Sequence, residues 1–199
     1  MEGFFFSSRN QYFCNRNSFM SNRVLINEKK LKIILQRLCC QLIERYNDFT
    51  NVVLIGLQPR GIFLLEVLDK ILRDEYQIED LQTGKLDTTF FRDDFRRGSP
   101  LKANVTEMEV EVENKAVVLI DDVLYTGRSI RSALTAIDSY GRPKSIELLV
   151  LIDRRFSRHL PIQPDYLGAQ IDALEGEKVR VHWEEGLDKS IVHLEKHNA

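Results

Sequence analysis

The chain has 199 residues, 43% apolar and 29% charged, with a net charge of −2. That length suits one domain around one core, and the near-neutral balance excludes a global basic field, so a nucleic-acid site has to be a local patch. Cys14, Cys39 and Cys40, and His159, His182, His193 and His197, show no metal spacing, and no apolar stretch reaches the length of a membrane span.

Residues 1–19 carry Phe4, Phe5, Phe6, Phe13 and Phe19 among Asn and Ser, without a period. They lack the basic start and continuous apolar run of a signal peptide. The expectation is a disordered leader or an overextended start ahead of Met20, with residues 20–199 forming a single domain. An odd cysteine count with no framework fits a reducing, cytoplasmic setting, and Cys39 and Cys40 read as small apolar residues on a helix.

From Asn27, a cap residue, Leu31, Ile34, Leu35, Leu38, Leu42 and Ile43 recur at helical spacing until Asn47-Asp48. Val52 to Gly56 reads as a buried strand, followed by a helix over 61–73 with Ile62, Leu65, Leu68 and Leu72 inward. A strand is expected at 86–91, then an exposed, charged loop over Arg92–Lys102, and a return strand over 105–112. A strand at 116–120, a helix at 129–140 and a strand at 146–152 follow, the last two separated by Gly141-Arg142-Pro143. After Asp153 the chain reads as irregular, with a strand over 178–183. This order predicts an α/β fold: right-handed βαβ units, a mostly parallel sheet flanked by helices, and a small cap formed by the tail.

The most informative string is Val117-Val118-Leu119-Ile120-Asp121-Asp122-Val123-Leu124-Tyr125-Thr126-Gly127-Arg128-Ser129. Apolar residues end in two carboxylates at the carboxyl end of a strand, where open α/β sheets bind ligands. The turn that follows opens a helix, and free N–H groups with the positive end of the dipole suit a phosphate there. Gly127 allows close approach of the backbone, while the hydroxyls of Thr126 and Ser129 add donors. Adjacent carboxylates call for donors or positive charge, which vicinal sugar hydroxyls and a nearby Mg²⁺ supply. An Asx turn capping a helix would account for Asp-Asp alone; the whole string is more specific. It is neither GxxxxGK[ST] nor GxGxxG.

Residues 117–129 resemble the motif that binds 5-phosphoribosyl 1-pyrophosphate (PRPP) in type I phosphoribosyltransferases. The resemblance implies that fold, with its cap, or hood, and places the ribose hydroxyls on Asp121 and Asp122. It places the 5-phosphate on the loop of Tyr125, Thr126, Gly127, Arg128 and Ser129, and Mg²⁺ with PRPP near the acidic pair. The wider chain, from about Met20 to Trp183, is similar to the PyrR-type pyrimidine operon regulators with uracil phosphoribosyltransferase activity. Phe91-Arg92-Asp93-Asp94, Pro59-Arg60-Gly61-Ile62, Gly141-Arg142-Pro143 and Leu160-Pro161-Ile162 carry that likeness, with Asp165-Tyr166-Leu167-Gly168. Hypoxanthine-guanine enzymes usually have an aspartate where this chain has Tyr125, which weighs against a purine.

By the same resemblance Arg60 and the Gly61 amide contact pyrophosphate, Arg92 lies on a mobile catalytic loop, and Asp153 and Arg154 border the base. The implied reaction converts uracil and PRPP to UMP and pyrophosphate, catalysed by Arg92, Asp121 and Asp122. The family also binds a messenger RNA leader through a basic face of a dimer; candidates here are Arg37, Arg45, Arg142, Lys144, Arg154, Arg155 and Arg158. Two positions depart: Cys40 replaces a histidine, and Arg155-Phe156-Ser157-Arg158-His159 replaces a shorter Gly-His-Arg-Glu stretch. The alternative reading is an RNA-binding attenuation regulator that senses UMP or PRPP with little catalysis. A homodimer or higher homo-oligomer is the expected assembly.

Overall fold

A computed structural model describes residues 23–89, 108, 110–174, 176–184 and 190–196. In chain order the elements are β1 (Arg23–Ile26), α1 (Glu28–Tyr46), β2 (Val52–Leu57), α2 (Gly61–Asp74), β3 (Gln82–Leu86), β4 (Ala116–Leu124), α3 (Arg128–Ile137), β5 (Ser145–Arg155), β6 (Tyr166–Asp172), β7 (Glu177–His182) and β8 (Ile191–Lys196). The leader, Cys14, Arg92 with its loop, and the start of the expected return strand lie outside the described residues.

Five parallel strands form the main sheet in the order β3-β2-β4-β5-β6. Every residue of β2 is buried, as expected for a central strand covered on both faces. Alternate side chains sort to the two sides. Leu54, Val118 and Ile120 join the cluster under α1 and α2, while Val53, Ile55, Val117 and Leu119 join Ile130, Ala133 and Ile137 of α3. Hence α1 and α2 cover one face and α3 the other. Asn27 caps α1 as expected, its side chain accepting from the Lys30 amide at 3.0 Å.

Several boundaries differ from expectation. The strand expected at 86–91 lies earlier, at Gln82–Leu86, because it pairs with β2 in a register that starts at Val53↔Gln82. Met108 and residues 110–112 are not in a strand. β4 runs past its apolar stretch through both aspartates to Leu124, since its backbone stays paired with β5. The chain beyond Asp153 is far from irregular: β5 continues to Arg155, and β6 adds a fifth strand to the main sheet. The expected strand at 178–183 is β7, and it pairs with β8, which pairs with β1, in an antiparallel sheet. That small sheet is the cap, and it draws on both ends of the described chain. Val179, Val181, Val192, Leu194 and Ile26 sink from it into the α1/α2 side of the core.

Candidate active site

β2 leads through α2 to β3 on one side, whereas β4 lies on the other side of β2. The strand order therefore reverses between β2 and β4. In open α/β sheets a crevice opens there, outside the carboxyl ends of the strands. Two loops meet at that point: Gln58–Arg60, entering α2, and Tyr125–Gly127, entering α3.

Gly61 begins α2 pressed against β4. A Cβ at this position would run into the Ile120 carbonyl oxygen, with the Asp121 Cα 3.1 Å away. Only glycine allows this approach, which brings Arg60 beside the acidic pair. Arg60 Nε donates to Asp122 Oδ2 at 2.7 Å, and an Nη donates to the Val181 carbonyl of the hood at 3.1 Å. Asp122 is 4% exposed. Burial pushes its carboxyl above the ordinary value, and the charge and hydrogen bond of Arg60 oppose that rise. Asp121 is half-buried, and its Oδ1 accepts from the Asp122 amide at 2.9 Å.

Gly127 is the N-cap of α3 at φ +88°, in the left-handed region that favours glycine. The Arg128 amide lies 3.4 Å from Thr126 Oγ1. Ser129 sits in the first turn of α3. Thus Arg60, Gly61, Asp121, Asp122, Thr126, Gly127, Arg128 and Ser129 come together at one crevice.

The far wall was less legible in the sequence. The Arg154 guanidinium lies over the Tyr125 ring at 4.2 Å from its centroid, and it donates to the Glu177 carbonyl at 2.9 Å. Arg154 is buried and its Nε has no hydrogen-bond partner. Burial lowers its guanidinium from the ordinary value. Asp153, also buried, is ion-paired with Arg158, and Gln170 Nε2 lies 3.5 Å from its second oxygen. At the end of β3, buried Asp87 accepts from the Thr89 amide at 2.8 Å and hydroxyl at 2.6 Å, a contact that no motif in the sequence announced.

The arginines singled out for RNA have varied surroundings. Arg37 donates to the carbonyls of Leu167 and Gly168 at 3.0 and 2.6 Å. Arg45 pairs with Glu147 at 3.0 Å, Arg155 with Asp172 at 2.5 Å, and Arg158 with Asp153. Arg142 and Lys144 are exposed. Arg45 and Lys144 line one cleft of about 660 Å³ at the amino ends of the strands, remote from the acidic pair.

Among the described residues no group of three or more His, Cys, Asp or Glu is placed to hold a metal. Two adjacent carboxylates nevertheless fit Mg²⁺, which is usually bound through one or two carboxylates plus substrate oxygens and water, without an all-protein cage. No helix among the described residues is long and apolar enough to cross a membrane.

Comparison with known proteins places this geometry. Residues 24–190 match the model of the phosphoribosyl transferase domain. The chain is 39% identical over 177 residues to the bifunctional protein PyrR of Streptococcus mutans, covering 88% of this chain and 96% of that one. It is 37% identical to the PyrR of Picosynechococcus, covering 86% and 96%. Among solved structures it resembles the hypoxanthine phosphoribosyltransferases of Trypanosoma cruzi (TM-score 0.65, 15% identity, 88% and 97% covered) and Staphylococcus aureus (TM-score 0.59, 23% identity, 77% and 79% covered). At those identities the likeness concerns the fold alone. A five-stranded parallel sheet, an acidic pair beside a glycine-capped turn at its switch point, and a domain match spanning most of the sequence agree, and the chain belongs to the phosphoribosyltransferase family, among the PyrR proteins.

Proposed function

We propose that this protein transfers the 5-phosphoribosyl group from PRPP to uracil, giving UMP and pyrophosphate. The observation that carries the reading is the Asp121-Asp122 pair followed directly by the left-handed Gly127 turn, with Arg60 alongside. The two carboxylates accept hydrogen bonds from the ribose 2′- and 3′-hydroxyls. The turn of Thr126 to Ser129 directs amides and hydroxyls at the 5-phosphate, at the positive end of α3. Arg60 and the Gly61 amide face the pyrophosphate, and Tyr125, with Asp153 and Arg154, borders the base.

Bond breaking at C1′ leaves positive charge on the ribose ring and negative charge on the departing pyrophosphate. The protein's share is positioning and electrostatic stabilisation of both, so no covalent nucleophile is required. Asp121 and Asp122 would hold Mg²⁺ beside the bound substrate, where the ion would supply further neutralisation of that leaving group. Arg92 is proposed to act from its loop on the same charge, excluding water.

The test is product formation from purified protein, Mg²⁺, PRPP and labelled uracil, with hypoxanthine and orotate as competitors. UMP formed from uracil, suppressed by chelation and unaffected by the other bases, is the expected result. Transfer to hypoxanthine or orotate in preference to uracil would overturn the base assignment.

A second reading, RNA recognition, is favoured by the exposed Arg45 and Lys144 on one cleft, with Arg142 nearby in sequence. Arg37, Arg155 and Arg158 are further candidate contacts for a messenger RNA leader. UMP-enhanced, salt-sensitive retention of that leader, with a slope reduced by Arg45→Ala, is the expected behaviour. A homodimer or larger assembly belongs to the same proposal and is read by sedimentation.

A further inference from the structure

The turn from Tyr125 to Gly127 is held from behind by the segment that follows β5. An Nη of Arg158 donates to the Tyr125 carbonyl at 2.8 Å, and the His159 amide donates to the Thr126 carbonyl at 3.0 Å. Two consecutive peptide groups of the turn are thereby fixed by two consecutive residues of the strap. In a trans peptide the carbonyl and the following N–H point in opposite directions. Anchoring the Tyr125 carbonyl on the strap turns the Thr126 N–H away from it, and anchoring the Thr126 carbonyl does the same for the Gly127 N–H. Both amides then face the open side of the turn.

The strap is itself built for this position. A second Nη of Arg158 is ion-paired with buried Asp153 at the end of β5, so the guanidinium spans from the sheet to the turn. The Arg158 side chain is 22% exposed, although its residue type usually projects into water. A Cβ at Gly127 would lie 3.2 Å from Ile162 Cδ1 and 3.5 Å from Leu160 Cβ, so the strap also packs on the outer side of the turn. Phe156, which starts the strap, has φ +66° and is 81% exposed. A bulky residue in the left-handed region is strained and persists only where its surroundings hold it. The two bonds of Arg158 and the one from the His159 amide are such surroundings.

We infer that Arg158 is a positioning residue for the 5-phosphate: it touches no substrate, and it aims the Thr126 amide by holding the Tyr125 carbonyl behind it, beside the His159 amide that does the same for Gly127. The inference rests on the phosphoribosyl reading of the turn. It assigns Arg158 a role distinct from contact with RNA, and it concerns a ligand bearing a phosphate on the sugar, whatever the base.

The experiment compares UMP with uridine by calorimetry on the full chain, for the wild type, Arg158→Ala and Arg158→Lys. The two ligands differ only in the 5-phosphate. A guanidinium that loses its charge-assisted contacts corresponds to roughly tenfold in affinity. Arg158→Ala is expected to weaken UMP about tenfold and leave uridine unchanged, with Arg158→Lys intermediate because an ammonium reaches one acceptor but lacks the fork. Equal losses for UMP and uridine would mark Arg158 as a general structural residue and overturn the proposal. So would unchanged UMP affinity in Arg158→Ala. A wild-type protein that binds no UMP would overturn the phosphoribosyl reading as well, which separates the two failures.

Discussion

Arg60 and Asp122 meet at 2.7 Å across the reversal point of the sheet, one at the start of α2 and the other near the end of β4. The ion pair ties the loop that enters α2 to the carboxylates near the end of β4. Through the Val181 carbonyl the same guanidinium also reaches the hood. A single side chain thus joins three parts of the crevice.

Replacing Asp122 by Asn keeps the shape of the side chain and removes its charge. Turnover of uracil and PRPP is expected to fall by about 10²–10³, the scale for losing one preorganised polar contact to a reacting group. Far-UV circular dichroism should be unchanged. A variant turning over at the wild-type rate would remove Asp122 from the site.

Arg60→Gln changes the pH profile. Burial pushes the Asp122 carboxyl up and Arg60 pulls it back, so without the guanidinium the rise is unopposed. The ionised form, proposed to accept a ribose hydroxyl, is then lost at a higher pH. The acid limb of kcat/KM is expected to move upward in this variant. A limb that stays in place, or moves down, would show that Asp122 does not govern it.

Gly61→Ala tests the close approach of α2 to β4. The added methyl meets a backbone carbonyl, which has no rotamer by which to retreat. A loss of about 2–3 kcal/mol is expected in urea titration, with PRPP affinity reduced alongside. Gly176→Ala serves as a control, since no atom lies within 4 Å of a Cβ there. Its φ of +84° limits that control to the backbone cost of about 1 kcal/mol.

Glu147 sits at the opposite end of the sheet. Burial pushes its carboxyl up, but hydrogen bonds from the Tyr166 and Tyr46 hydroxyls at 2.5 and 2.6 Å and from Arg45 outweigh it and hold it below the usual glutamate value. A carboxyl lowered on folding stabilises the protein above its unfolded value, here 4.5, and that contribution disappears as pH falls through the lower folded value. Glu147→Gln is expected to cost about 1–3 kcal/mol at neutral pH. The gap from wild type should close at acid pH. Denaturant curves at the two conditions measure it, and a gap that widens in acid would contradict the assignment.

Much of this protein is legible along the chain because its signals are local. Leu31 to Ile43 repeats at helical spacing, Val52 to Ile55 is continuously apolar, and Asp121 to Ser129 is contiguous, so each element carries its own evidence. Asn27 capping α1 and Gly127 opening α3 are likewise short-range matters of a few dihedrals. The limits of that reading appear where pairing decides. Of Gln82 to Leu86 only Leu86 is strongly apolar, and the segment becomes a strand because β2 offers a neighbouring edge. β6, with its alternating exposure, exists as the fifth strand because β5 offers it an edge from Leu149 to Arg155.

The sequence by itself determined the class of fold, the acidic pair and the glycine turn that opens α3, since the residues of that stretch are adjacent in the chain. Only the tertiary structure decided what stands around them: Arg60 on Asp122, Arg154 on Tyr125, Arg158 behind the turn, and a hood assembled from β1, β7 and β8. Those partners are distant in sequence, and each alone is an ordinary charged residue or a short strand. Their meaning comes from a backbone that brings carbonyls and carboxylates within about 3 Å of a guanidinium, and hydrogen bonds act only over that range.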